Sequence, residues 1–122
     1  MPKARNRRDR CIQVMRWLKE EFDLPACRFE WMETIEWEEG KGEQTFGQTL
    51  EVRGKLTIQI SQAGCRTYSQ ALETTIHEAA HVALWNEGLG LRHGDRFWRI
   101  YGRMMDAYEH HGSLDSQTYG WD

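Results

Sequence analysis

The sequence predicts an α+β domain, with one helix ahead of a three-stranded antiparallel sheet and two helices behind it. Three features carry that expectation. Apolar residues recur at helical spacing from Cys11 to Phe22, alternate with polar ones between Arg28 and Ile60, and return to helical spacing on either side of Gly88 and Gly90. At 122 residues the chain has room for one core and one domain.

The N-terminal helix is expected from Asp9 to Phe22, where Cys11, Val14, Met15, Leu18 and Phe22 make one apolar face, and Pro25 bars its continuation. From Arg28 to Glu38 the period drops to two. Phe29, Trp31, Ile35 and Trp37 face one way and mostly charged residues the other, with Glu33 out of phase, so a long strand with one solvated face is expected. Phe46, Leu50 and Val52 mark a second strand and Leu56, Ile58 and Ile60 a third. The intervening Gly40-Lys41-Gly42 and Arg53-Gly54 read as turns, and the short connections favour an antiparallel meander. Thr67-Tyr68-Ser69-Gln70 has the form of a capping box opening a helix whose core spans Leu72 to Asn86. After Gly88 and Gly90 a last helix follows. It has Asp95 as its expected N-cap and Phe97, Tyr101, Met104, Met105 and Tyr108 as an apolar stripe, and it continues to Gly112. Residues 113–122 are polar and read as a tail.

Composition narrows the class further. The net charge of -3 conceals a basic arm over residues 1–8, continued by Arg10, while acids dominate from Glu20 to Glu51. Lys3, Arg5, Arg7, Arg8 and Arg10 are either a solvated terminus or a nucleic-acid contact. Cys11, Cys27 and Cys65 form no C-x-x-C pair, which argues against a disulfide framework and a zinc ribbon; Cys11 and Cys27 read as small core residues. No run of eighteen apolar residues and no apolar leader occurs, so a soluble cytoplasmic protein without membrane contact is expected.

The chemistry concentrates in His77-Glu78-Ala79-Ala80-His81 and His93-Gly94-Asp95-Arg96-Phe97-Trp98. Histidines four apart on a helix leave the same face one turn apart, as two nitrogen ligands of a tetrahedral Zn²⁺ require. A third histidine beyond a turn can fold back as the third ligand and leave the fourth position to water. Glu78 lies around the helix from the pair, where a carboxylate reaches a water without ligating the metal. A metzincin would place its third histidine where Glu87 stands, and a gluzincin would need a later glutamate, for which Glu109 is distant.

The run from His77 to Trp85, a short Gly-containing loop, then His93-Gly94-Asp95-Arg96-Phe97-Trp98 resembles the SprT-like (Spartan-type) zinc metallopeptidases. The resemblance covers these signatures and roughly the second half of the chain. It implies a minimal zincin-like domain over residues 9–112, a single-domain form without the zinc ribbon of many members. Also implied are His77, His81 and His93 as zinc ligands and Glu78 as the catalytic base. Tyr68, Tyr101 and Arg96 are candidate transition-state donors; Asp95 and Asp106 are candidate partners of the ligand histidines. His110 and His111 read as a favourable pair at a helix C-terminus or as a second metal site.

The expected activity is a zinc-dependent metalloendopeptidase that cuts protein or peptide substrates with a zinc-activated water. The substrate would pair along a sheet edge, and DNA contact would run through the basic arm. The alternative is a non-catalytic zinc-stabilised nucleic-acid or protein binding module, closed by a fourth ligand such as Glu87, Asp95 or Glu109. A metal hydrolase acting on another bond is a third reading.

Overall fold

The computed structural model describes residues 6–35, 46–90 and 92–110. Its element order is α1 (Arg7–Glu21), β1 (Arg28–Met32), β2 (Gly47–Val52), β3 (Lys55–Ser61), α2 (Tyr68–Trp85) and α3 (Asp95–His110). The α+β class and the three helices are as the periodicity predicts.

The sheet is not the expected antiparallel meander. It is mixed, in the order β1-β3-β2, with β1 parallel and β2 antiparallel to β3. The Arg53-Gly54 turn, with φ of 53° and 77°, ties β2 to β3 as a tight hairpin. β1 pairs with the far edge of β3 rather than with the outer edge of β2, which stays open among the described strands. Met32 and Gly47 then both sit at the Ser61 end of β3, so the segment joining them links strands that are not neighbours. Period-two alternation encodes which face is apolar and is silent on partner and direction.

β1 is also shorter than the alternation implies. It ends at Met32, just before the out-of-phase Glu33, and Ile35 is buried beyond it, while Glu36, Trp37 and Glu38 lie outside the described residues. On the other face of the sheet Gln48 donates to Gln59 and Gln59 to Glu30, both at 2.7 Å, a polar ladder across all three strands.

Helix α1 starts two residues earlier than Asp9, because Asn6 supplies the cap by accepting the Asp9 N–H at 2.8 Å. Arg7, Arg8 and Arg10 therefore belong to a helix. Arg7 donates to the Cys65 carbonyl, and Arg10 is buried with its guanidinium 4.8 Å from the centre of the Tyr68 ring. Lys3 and Arg5 lie outside the described residues.

Helix α2 is the central element, packed against α1, α3, β2 and β3. The expected capping box is present: Thr67 accepts from Gln70 N–H and the Gln70 side chain accepts from Thr67 N–H. Of the apolar stripe that helical spacing gives, Leu72, Ile76, Ala79, Ala80 and Ala83, the first four are buried and Ala83 is half-buried; Ala71, Thr75, Val82 and Leu84 are buried too, because layers on several sides enclose the helix. The core also takes in Cys11, Ile58, Ile60, Cys65, Phe97 and Met104, while Cys27 packs half-buried against it. Burial pushes all three thiols up, Cys11 to about 12, which suits inert packing residues. None of the helices among the described residues is long and apolar enough to cross a membrane.

Candidate metal centre

Two ligands of the candidate centre come from α2 by simple periodicity and the third from a chain reversal. Gly88, at φ 74°, ends α2 in a Schellman-type turn, with Leu89 N–H on Leu84 O at 3.3 Å and Gly88 N–H on Trp85 O at 3.2 Å. The chain then turns back through Leu89 and Arg92, whose backbone atoms bond at 3.0 Å, and delivers His93 to the helix.

The three imidazoles converge. Nε2 of His77 lies 3.2 Å from Nε2 of both His81 and His93, and these last two are 3.1 Å apart. Three nitrogens each about 2.0–2.1 Å from a tetrahedral ion stand about 3.3–3.4 Å from one another, so the triangle fits such an ion closely. Hydrogen bonding among the rings cannot explain it, since each ring nitrogen directs a single proton or lone pair and three edges need more. His77, His81 and His93 are a group able to hold a metal ion.

The protonation states agree. Burial first, then the neighbouring imidazoles, push His77 down to about 4, and burial lowers His81 as well. Both rings are thus neutral at pH 7, the form that coordinates. His81 Nδ1 contacts the Gly90 carbonyl and must be the protonated nitrogen there, which leaves the Nε2 lone pair for the ion. That orienting partner is a backbone group, not Asp95 or Asp106, and a search limited to acidic side chains overlooks it.

Gly90 serves by close approach. A Cβ at this position would stand no farther than 3.0 Å from three ring carbons of Trp85, whose indole N–H is itself tied to Glu51 at 2.8 Å. Gly90→Ala is expected to cost roughly 1–3 kcal/mol of stability and to weaken metal affinity, because the crowded loop pulls its carbonyl from His81. Denaturant unfolding and a metal competition titration measure the two effects; a variant equal to wild type in both would sink this account.

Phe97, expected from its spacing as part of the α3 apolar stripe, has a second role that spacing does not show. It is 1% exposed, and its ring centroid lies 4.8, 4.5 and 4.8 Å from those of His77, His81 and His93. One ring thereby buttresses all three imidazoles. Phe97→Ala should destabilise the chain by about 3–5 kcal/mol in thermal or denaturant unfolding, and a loss below about 1 kcal/mol would refute the buttress. Helix α3 begins at Asp95 itself, with Gly94 in the cap position, its carbonyl accepting Trp98 N–H at 3.2 Å; Asp95 is not the cap.

Glu78 is 5% exposed beneath β2, and its carboxylate accepts the Thr49 hydroxyl at 2.7 Å. Burial raises its pKa to about 7, against a smaller downward pull from Thr49. The partner comes from a strand that the sequence could not place beside this helix.

Among the three candidate donors, only Tyr101 touches the cluster, its ring 5.8 Å from that of His77, and burial holds its phenol above the usual range. Tyr68 is engaged by Arg10. Arg96 grips Glu87 with two bonds of 3.0 Å, so these residues occupy each other. Neither Glu87 nor Asp95 nor Glu109 joins the histidine group, and among the described residues no fourth ligand completes it. His110 ends α3, whereas His111 lies outside the described residues.

Fold and site together define a small α+β domain with a three-histidine group suited to a metal ion, and a buried glutamate next to its first ligand. Neither a family model, nor a curated protein, nor a solved structure matches the chain.

Proposed function

We propose that the chain is a zinc-dependent endopeptidase of the SprT-like kind, acting on unfolded or flexible protein segments. The observation that carries this reading is the Nε2 triangle of 3.1–3.2 Å edges, with three protein ligands and a glutamate adjacent in sequence. Three imidazole nitrogens in tetrahedral spacing suit zinc, and three protein ligands rather than four leave a coordination position for chemistry.

When bound, zinc polarises the scissile carbonyl and brings the pKa of a water toward about 7. The remaining work falls to the chain's own residues. Glu78 takes the proton of the attacking water and passes it to the leaving amine, a task favoured by a carboxyl raised to about 7. Thr49 keeps that carboxylate oriented. His81 holds its proton on the far nitrogen through Gly90, and Phe97 keeps the three rings from turning.

Substrate pairs along β2. This strand has a neighbour on one side only among the described strands, and its residues run along α2: Thr49 meets Glu78 and Glu51 meets Trp85. A peptide laid antiparallel on that edge would pass beside the metal helix with its main chain hydrogen-bonded.

The binding-module reading needed a fourth protein ligand; none of Glu87, Asp95 and Glu109 joins the histidine group among the described residues, and Glu87 is held by Arg96. Zinc-loaded protein is expected to cut an unfolded protein such as reduced casein, to stop on addition of 1,10-phenanthroline and to resume on return of zinc. No cleavage by the fully zinc-loaded chain would overturn the endopeptidase reading and leave the module.

A further inference from the structure

Trp98 is 52% exposed, yet it is far from loose. Its ring centroid lies 4.9 Å from that of Phe97 and 5.8 Å from that of Tyr101, and 6.1 and 6.4 Å from those of His93 and His77. Packing thus fixes a large apolar surface against the metal ligands while leaving half of it to solvent. A single exposed tryptophan is unremarkable by itself; its neighbour on the helix is what gives it meaning.

Gly102 lies four residues further along α3 and so on the same face. It stands mid-way along a 16-residue helix, where glycine is weaker than alanine. Nothing among the described residues asks for it: its φ is not positive, and an added Cβ would meet none of their atoms within 4 Å. Tyr101, half-buried at i+3 from Trp98, packs edge-on against the Trp98 ring. The face of α3 beside the histidines is therefore an aromatic wall followed by a gap where a side chain is missing.

We infer that Trp98, Tyr101 and Gly102 form a subsite for an aromatic or large aliphatic side chain of the substrate, adjoining the bond that is cut. The inference rests on the endopeptidase reading and narrows it to unfolded segments bearing such a residue. An incoming ring stacks on Trp98 and fills the volume that a side chain at position 102 would otherwise take.

The test uses zinc-loaded full chain and two peptides that differ only in Phe or Ala beside the cleaved bond, that bond having been mapped by mass spectrometry of casein digests. Wild type should cut at bonds flanked by Phe, Tyr, Trp, Leu or Met. Trp98→Ala should lower kcat/KM for the Phe peptide about tenfold or more, chiefly through KM, with Trp98→Phe recovering most of it. Gly102→Leu should cause a similar loss by blocking the gap, and both variants should retain one zinc per chain. Gly102→Ala should raise the unfolding midpoint by about 2–5 °C. As a readout apart from turnover, a fluorescein-labelled Phe peptide should bind zinc-loaded Glu78→Gln about tenfold more tightly than it binds the Glu78→Gln, Trp98→Ala double variant. If Trp98→Ala and Gly102→Leu cut the two peptides in the wild-type ratio, the subsite is refuted while the peptidase stands. If Gly102→Ala lowers the midpoint, the glycine has a structural reason and the inference falls. If wild type cuts neither peptide and Glu78→Gln binds neither, the endopeptidase reading falls and the subsite with it.

Discussion

Glu78→Gln is expected to lower peptide hydrolysis by about 10²–10⁴-fold while leaving one zinc per chain, because the amide keeps the shape of the carboxylate and cannot take a proton from water. Its oxygen still accepts the Thr49 hydroxyl, so the local packing survives. The same substitution has a second signature in the metal-free protein. Burial raises the Glu78 carboxyl from 4.5 to about 7 in the folded chain. A raised carboxyl favours folding through its protonated form; that contribution is complete below pH 4.5 and is lost as pH rises through 7. Above pH 7 the folded chain holds a buried carboxylate that the Thr49 hydroxyl compensates only in part. Glu78→Gln removes it, so the metal-free variant should be more stable than wild type at pH 8, by on the order of 2–3 kcal/mol, and the gap should narrow toward pH 4.5. Full activity in the variant, or a stability gap that widens on acidification, would overturn the role given to Glu78.

His81→Ala is expected to have the largest effect on metal binding. His81 is 4% exposed, supplies one corner of the nitrogen triangle and holds the Gly90 carbonyl, so its loss removes a ligand and orphans a buried acceptor together. Wild type should gain about 2.7 kcal/mol of unfolding free energy when free zinc is raised to a hundred times its Kd, and the variant almost none. Denaturant titrations at several buffered zinc concentrations measure this. A variant whose midpoint still climbs with zinc as wild type does would show that the ion sits elsewhere.

How much of this was legible beforehand differs from residue to residue. His77 and His81 could be paired from the sequence because helical geometry is local: residues four apart share a face whatever the rest of the chain does. His93 needed only a reversal, and Gly88 and Gly90 announced one. Their separate duties were not legible. Gly88 is required by its own backbone angle, Gly90 by the Trp85 ring lying against it, and only the second depends on a contact between different elements. The partner of His81 was out of reach for the same reason: it is the Gly90 backbone carbonyl and neither Asp95 nor Asp106, and a backbone carbonyl carries no mark in the sequence. The capping box at Thr67 was read in full because its donors and acceptors lie within four residues.

The alternation of Phe29, Trp31, Ile58 and Ile60 determined which sides of the strands turn to the core, and the i, i+3, i+4 spacing determined the three helices. The sequence by itself also singled out His77, His81 and His93, the three histidines that the fold brings together. Only the tertiary structure decided that β1 lies parallel to β3, that β2 is the strand bringing Thr49 to Glu78, and that Phe97 rests on all three histidines. The physical reason is range. Periodicity records the environment each residue needs, apolar or wet. Strand order and the contacts between layers follow from how those faces are buried together; a hairpin as tight as Arg53-Gly54 settles the pairing of β2 with β3, and the packing of the whole chain decides which free edge β1 takes.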